Sequence, residues 1–309
     1  MGTGVPSTKG FSMPSTVRRA VIPAAGLGSR LLPLTKAIPK EMLPVDDKPV
    51  IEHTVRELVA SGITDITIVV SAGKSLIQDH FRPNPALVEQ LRADGKSGYA
   101  DAVEEVAALA QQGHITYLDQ HGPYGNGTPV LNAAHGLGDE PMVVLWPDDV
   151  FVAEVPRARQ LIRAYEATGS PIVALLPMTA DDAQRYAVPV VSEDAGGGLL
   201  RITGLVEKPE PADAPSAYAA IGGYVLTPGI IGELRDLTDR WYRHRTGEIY
   251  LTDAISAYAA GHAVYGQVIS GRWYDTGNPA DYLVAQMAAA LDHPEHGPLL
   301  RRLLGPEEV

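Results

Sequence analysis

The sequence predicts an α/β protein: a Rossmann-like, mixed but mostly parallel sheet flanked by helices, with a small β extension and a C-terminal helical tail. Three observations carry this expectation. The first is a strand, loop, helix, strand unit near the N-terminus. It comprises an apolar run at 20–22, a loop of alanine and glycine, helical spacing of Val50, Ile51, Val55, Leu58 and Val59, and the alternation Ile66, Ile68, Val70. Such a βαβ unit lays its strands in parallel through a right-handed crossover. The second is a pair of acidic stretches closing apolar runs, Trp146-Pro147-Asp148-Asp149 and Asp275-Thr276-Gly277. Open α/β sheets keep their ligands at the C-terminal ends of such strands. The third is a change of texture from Tyr186 onward to β-rich segments at 186–191, 199–206 and 218–226, read as an antiparallel extension.

The remaining elements follow in order. Residues 1–16, rich in Gly, Ser, Thr and Pro without apolar period, read as a flexible arm. Helix 50–61 closes at Gly62, and residues 74–112 read as helices broken near Pro83-Asn84-Pro85 and Gly95. A strand at 115–118 leads into a second glycine-rich loop, Gln120 to Thr128, followed by a helix to His135. Strand 142–145, helix 155–168 and strand 172–176 precede the β-rich part; helix 248–258 and strands 264–268 and 272–274 follow it. Asn278 as N-cap and Pro279 at the first helical position start a helix to Leu291. The expected organisation is one domain over 17–291, in two parts at 17–150 and 151–277, and a tail at 292–309.

Composition narrows the function. The chain has 309 residues, 45% of them apolar, enough for a substantial core. Twenty-five basic against 37 acidic residues give a net charge of −12, which argues against a general nucleic-acid binder. An enzyme for anionic nucleotides needs only local positive potential and metal ions. With no cysteine there are no disulfides, thiolate nucleophiles or cysteine-bound zinc, and the nine histidines show no metal-ligand spacing. No apolar run reaches the length of a membrane span and no signal peptide is evident, so a cytoplasmic location is expected.

The chemistry concentrates at 20–44. Ala24, Ala25, Gly26 and Gly28 leave so little side-chain bulk that backbone N–H groups can close around a phosphate. Gly-x-Gly alone is equally a tight turn; Arg30 and Lys40, the latter between Pro39 and Pro44, make a phosphate-handling set of it. A dinucleotide fingerprint would need glycine at position 31, which is leucine, so a nicotinamide oxidoreductase fits poorly.

The run 20–49 resembles the signature of sugar-1-phosphate nucleotidylyltransferases, and Lys36-Ala37-Ile38-Pro39-Lys40-Glu41-Met42-Leu43-Pro44 is most similar to the bacterial UTP–glucose-1-phosphate uridylyltransferase branch. The resemblance extends over about 17–291. It implies an enzyme that joins a hexose 1-phosphate, glucose 1-phosphate first, to UTP with release of pyrophosphate; dTTP or a related hexose phosphate is the alternative. It implies Mg²⁺ on Asp148 and Asp275, with adjacent Asp149 as the competing ligand, and Arg30 and Lys40 on the triphosphate. Lys208 in Glu207-Lys208-Pro209 would neutralise the sugar phosphate while Glu207 accepts from ring hydroxyls. On its own Glu-Lys-Pro is common surface chemistry. Gln120 and the loop holding Gly125 and Gly127 align with the base-binding segment, where an amide suits uracil and thymine equally. Ala187, Gly222 and Tyr224 fall on the sugar side. A homo-oligomer, dimer or tetramer, with no nucleic-acid or membrane partner, is expected.

Three departures bear on specificity. The base loop reads Gly125-Asn126-Gly127-Thr128-Pro129-Val130 where uridylyltransferases have Gly-Leu-Gly-His-Ala-Val. Tyr186-Ala187-Val188-Pro189 replaces Tyr-Gly-Val-Val, and Gly223 stands where the family often has Arg. From another class, a non-catalytic nucleotide-sugar sensor would have lost Arg30, Asp148 or Asp275, and all three are present.

Overall fold

The computed structural model describes residues 17–136 and 140–304; the arm at 1–16 and the end of the tail lie outside the described residues. Strand β1 (Arg19–Ala24) runs into the alanine–glycine loop and three short 3₁₀ turns, Ser29–Leu31, Leu34–Lys36 and Lys40–Met42. A small ribbon, β2 (Pro44–Val45) and β3 (Lys48–Pro49), delivers the chain to α1 (Val50–Ala60). Next come β4 (Asp65–Val70), α2 (Ser75–Phe81), α3 (Pro85–Ala93), α4 (Ser97–Gln112) and β5 (Thr116–Asp119). The middle of the chain holds α5 (Gly127–Ala134), β6 (Met142–Leu145), β7 (Asp149–Val152), α6 (Arg157–Thr168) and β8 (Ile172–Pro177). Strands β9 (Ala187–Gly196), β10 (Leu199–Glu207) and β11 (Tyr218–Leu226) precede α7 (Pro228–His244) and α8 (Leu251–Ala259). The chain ends through β12 (Val264–Val268), β13 (Arg272–Asp275), α9 (Pro279–Asp292) and α10 (Gly297–Leu304).

Nine strands form one sheet in the order β5-β4-β1-β6-β11-β8-β12-β10-β9. The first four are parallel, as the N-terminal βαβ unit requires. The β extension is β10 and β9, with β10 antiparallel both to β9 and to β12. One expectation is corrected: 218–226 does not belong to that extension. Strand β11 lies mid-sheet, antiparallel to both β6 and β8, and its residues from Ala219 onward are buried. The sheet also curls, so that edge strand β9 meets β11 at Ala187 and Ala220. That closure brings Ala187, expected on the sugar side, against the mid-sheet strand.

Successive residues of the central strands point to opposite faces, and each face is covered. Ile22, Ile68 and Val143 pack with Ile51 and Leu58 of α1, Ile77 of α2 and Leu161 of α6. Their neighbours Val21, Val69 and Val144 pack with Val130 of α5, Ile230 and Leu234 of α7 and Ile255 of α8. The result is a three-layer α/β/α sandwich. Helix α9 begins as expected, Asn278 accepting from the Asp281 N–H with Pro279 in the first turn. It packs back on the ribbon, where Tyr282 Oη and Gln286 Nε2 donate to Pro44 O at 2.7 and 2.6 Å. Residues 297–304 of the expected tail are helical. Among the described residues no helix is long and apolar enough to cross a membrane.

Candidate active site

Two cavities open along the C-terminal ends of β1 and β6 and meet at Asn126, Trp146 and Asp148. The smaller, about 310 Å³, is lined by Ala25, Gly26, Lys40, Gln120, Gly125 and Tyr250 among others. The larger, about 570 Å³, is lined by Arg30, Ala187, Glu207, Lys208, Gly222, Tyr224 and Asp275 among others. So the residues expected to bind a nucleotide and those expected to bind a sugar separate into adjoining chambers, with Arg30 in the larger one. Three expected nucleotide contacts line neither chamber. Ala24 is buried in β1, Gly28 supports the loop by accepting from Thr35 Oγ1 at 2.7 Å, and Gly127 is buried against Leu234 and Ile249. A wider groove of about 740 Å³ beside β5 has no carboxylate in its lining.

The second glycine-rich loop is held by a short ladder: Ile249 N donates to Tyr124 O and Gly127 N to Ile249 O, both at 2.9 Å. Gly125 must be glycine there, because φ is +132° and a Cβ would come within 2.3 Å of Ile249 O. Asn126, the departure from the family pattern, accepts through Oδ1 from Leu251 N at 2.8 Å and so joins the loop to the start of α8. One residue on, Thr252 Oγ1 donates to Glu207 Oε2 at 3.4 Å. The start of α8 thus braces Asn126, which lines both chambers, and places Thr252 in the larger one.

Asp148 and Asp275 bracket Gly277: a Cβ there would lie 3.0 Å from Asp148 Oδ2 and 2.9 Å from Asp275 Oδ1. Asp148 accepts from Lys40 Nζ at 2.5 Å. Burial would raise its carboxyl, but the Lys40 ammonium and its hydrogen bond hold it below the usual carboxylate range. Asp275 accepts from Gly277 N at 2.8 Å and Tyr186 Oη at 3.2 Å, yet burial, with the Asp148 charge adding to it, leaves its carboxyl raised. Two hard oxygen donors repelling across a small gap are what a divalent cation relieves, and both residues fit one. Among the described residues no third His, Cys, Asp or Glu joins them. Asp149, the competing ligand, is tied up elsewhere. Its Oδ1 accepts from Trp273 Nε1 at 2.7 Å, and Oδ2 lies 3.8 Å from the fully buried Arg157. Burial pushes this carboxyl up to about 7 against the pull of Arg157. Gly222 makes room for it, since a Cβ there would sit 1.9 Å from Asp149 Oδ2.

In the larger chamber Glu207 pairs in register with Ala187, so their side chains share one wall. Lys208 follows at φ +47°, a left-handed conformation that costs a non-glycine residue about 1–2 kcal/mol. It is held by its N–H donating to Tyr186 O at 3.2 Å. Its Nζ stands 3.7 Å from Glu207 Oε1, and both side chains remain accessible. Buried Tyr224 meets Trp146 edge-on at 5.7 Å, closing the floor. Ala187 puts its methyl on the cavity lining.

Three charged residues of this region were not singled out in the sequence. Arg157 donates to Glu57 Oε2 at 3.0 Å and Gly222 O at 3.1 Å behind Asp149. Arg185 reaches Asp281 and lies 3.6 Å from Asp275. Lys74 donates to Ala24 O, Gly26 O and Glu41. Glu41 was the available signal: a carboxylate inside a Pro-bracketed segment with apolar neighbours needs a buried cation.

Comparison with known proteins gives the site its setting. A nucleotidyl transferase family model matches residues 19–291. The chain is 39% identical over 283 residues to the UTP–glucose-1-phosphate uridylyltransferase YngB of Bacillus subtilis (strain 168), covering 92% of this chain and 93% of that one. A UTP-bound UGPase from Acinetobacter baumannii superposes with a TM-score of 0.83 at 30% identity, over 93% of this chain and 98% of that one. A UDP-glucose pyrophosphorylase complexed with UDP-glucose gives a TM-score of 0.77 at 30% identity, over 88% of this chain and 98% of that one.

Proposed function

The chain belongs to the nucleotidyl transferase family, and from that premise we propose that it transfers the uridylyl group of UTP to glucose 1-phosphate, forming UDP-glucose and pyrophosphate. The reading rests on one observation above others: a phosphate-loop chamber and a Glu207-Lys208 chamber that share Asp148. A uridine triphosphate in the first and a hexose phosphate in the second would bring nucleophile and α-phosphorus together at that junction.

The attacking group is a phosphate oxygen with a second pKa of about 6, so no general base is needed at neutral pH. The task is to bring two polyanions together in line and to stabilise charge on the leaving pyrophosphate. Loop N–H groups at Ala25 and Gly26, with Lys40, hold the triphosphate. Arg30, which lines the larger chamber with Asp148 and acts on its charge, takes charge from the transferring phosphoryl group. Lys208 binds the sugar phosphate and Glu207 the ring hydroxyls. Gln120 meets the uracil edge. We assign Mg²⁺ to Asp148 and Asp275; when bound it supplies charge neutralisation for the phosphates.

The test is pyrophosphate release across a matrix of nucleoside triphosphates and sugar 1-phosphates. UTP with glucose 1-phosphate should give the highest kcat/KM. A higher value with dTTP would reassign the base, and no release from any pair would end the reading.

A further inference from the structure

We propose that Lys74, anchored by the buried Glu41, is a positioning residue that aims the phosphate loop at the nucleotide. The inference rests on the nucleotide reading of that loop. Lys74 sits at the turn between β4 and α2, its side chain only 10% exposed, and Glu41 is completely buried. Its ammonium donates to Ala24 O at 2.6 Å, Gly26 O at 2.7 Å and Glu41 Oε2 at 2.8 Å. An ammonium has three N–H donors, and these contacts use all of them. Lys74 therefore has none left for a phosphate, and any role it has is exerted through the loop.

That role follows from peptide geometry. In a trans peptide the C=O and the following N–H point in opposite directions. Pinning the carbonyls of Ala24 and Gly26 on one ammonium turns the N–H groups of Ala25 and Leu27 away from it. Ala25 and Gly26 line the smaller chamber, so the pinned planes belong to the wall a triphosphate would meet. Glu41 fixes the ammonium in place. It shares its 3₁₀ turn with Lys40, whose Nζ reaches the junction at Asp148. One turn thus sets both the direct cation and the hidden one.

A purely structural pair would serve folding alone, and the test separates the two. Lys74→Met would leave Glu41 buried without its partner and is expected to unfold readily. Lys74→Met combined with Glu41→Gln removes both charges. Lys74→Arg keeps the charge, but a planar guanidinium cannot present one nitrogen to two carbonyls and a carboxylate. For both folded variants, calorimetry with UTP alone should show affinity weakened about tenfold or more, while the KM for glucose 1-phosphate stays within about threefold. The thermal midpoint should return towards wild type without restoring UTP affinity. Recovery of both together in the double variant, or wild-type UTP affinity in Lys74→Arg, would overturn the proposal. If Arg30→Ala weakens UTP use and the Lys74 variants do not, this inference alone falls. If folded wild-type protein fails to bind UTP, the nucleotide reading falls and takes it along.

Discussion

At Asp148 a half-buried carboxylate stays ionised because Lys40 faces it, and the same oxygen lies across a small gap from Asp275. If that pair holds the divalent cation, Asp148→Asn and Asp275→Asn should each lower kcat in Mg²⁺ by about a thousandfold. Near-normal turnover for Asp148→Asn would pass the role to Asp149 despite its bonds to Trp273 and Arg157. A second expectation concerns division of labour: Lys208→Ala should chiefly raise the KM for glucose 1-phosphate, and Arg30→Ala should chiefly impair use of the triphosphate. Losing one charged hydrogen-bonding partner costs about 1.5–3 kcal/mol, tenfold to a hundredfold. An unchanged sugar-phosphate KM in Lys208→Ala would remove Lys208 from the site. At this scale the sequence was readable wherever a residue's chemistry shows in its neighbours. Lys40 was found because prolines bracket it and a small-residue loop precedes it. Lys74 and Arg157 were not, because their partners, backbone carbonyls and Glu41 for one, Glu57 and Gly222 O for the other, come from distant segments.

Elements hold these side chains through a few cross-links, and one of them titrates. Glu52 on α1, its side chain 3% exposed, accepts from Arg56 Nε at 2.7 Å and from His80 Nε2 of α2 at 2.8 Å. Burial raises its carboxyl, but the hydrogen bonds from His80 and Arg56 outweigh that and leave it below the ordinary 4.5. A depressed carboxyl stabilises the fold above its unfolded pKa, and that contribution disappears as pH falls through the folded one. Glu52→Gln should therefore lose about 1–3 kcal/mol at pH 7, and the difference from wild type should shrink in acid below about pH 4.5. Denaturant melts at pH 7 and pH 3.5 check it, and an equal loss at both would show that shape, not charge, matters at this position. Elements with their own punctuation, such as α9 behind Asn278-Pro279, were legible in the chain. Helix α7 carries its own punctuation as well: Pro228 opens it and Ile230, Ile231 and Leu234 keep the period. The place of β11 was not legible, since an apolar run like 218–226 is compatible with either sheet location and only long-range pairing with β6 and β8 decides.

Across the whole molecule the electrostatic problem is one of excess negative charge. The chain carries −12, and the larger chamber brings five carboxylates, Asp148, Asp149, Glu207, Asp275 and Asp281, against three cations, Arg30, Arg185 and Lys208. Burial raises Asp149 to about 7, so it is partly protonated near neutrality. Into this surplus the reaction must place a triphosphate and a sugar phosphate. Lys40 and Arg185 already neutralise part of it, but each is engaged with a carboxylate, Lys40 with Asp148 and Arg185 with Asp281. A divalent cation on Asp148 and Asp275 would both cancel charge and release Lys40 towards the phosphates. UTP affinity measured calorimetrically after EDTA treatment should accordingly be at least about tenfold weaker than in millimolar Mg²⁺, and Mg²⁺ added back should restore it. In Asp148→Asn protein the same comparison should show a much smaller gain from Mg²⁺, because one oxygen donor and the ion pair with Lys40 are both weakened. Equal UTP affinity with and without divalent cation would mean that the loop and its lysines alone carry the triphosphate. The two aspartates would then serve the transferring step only.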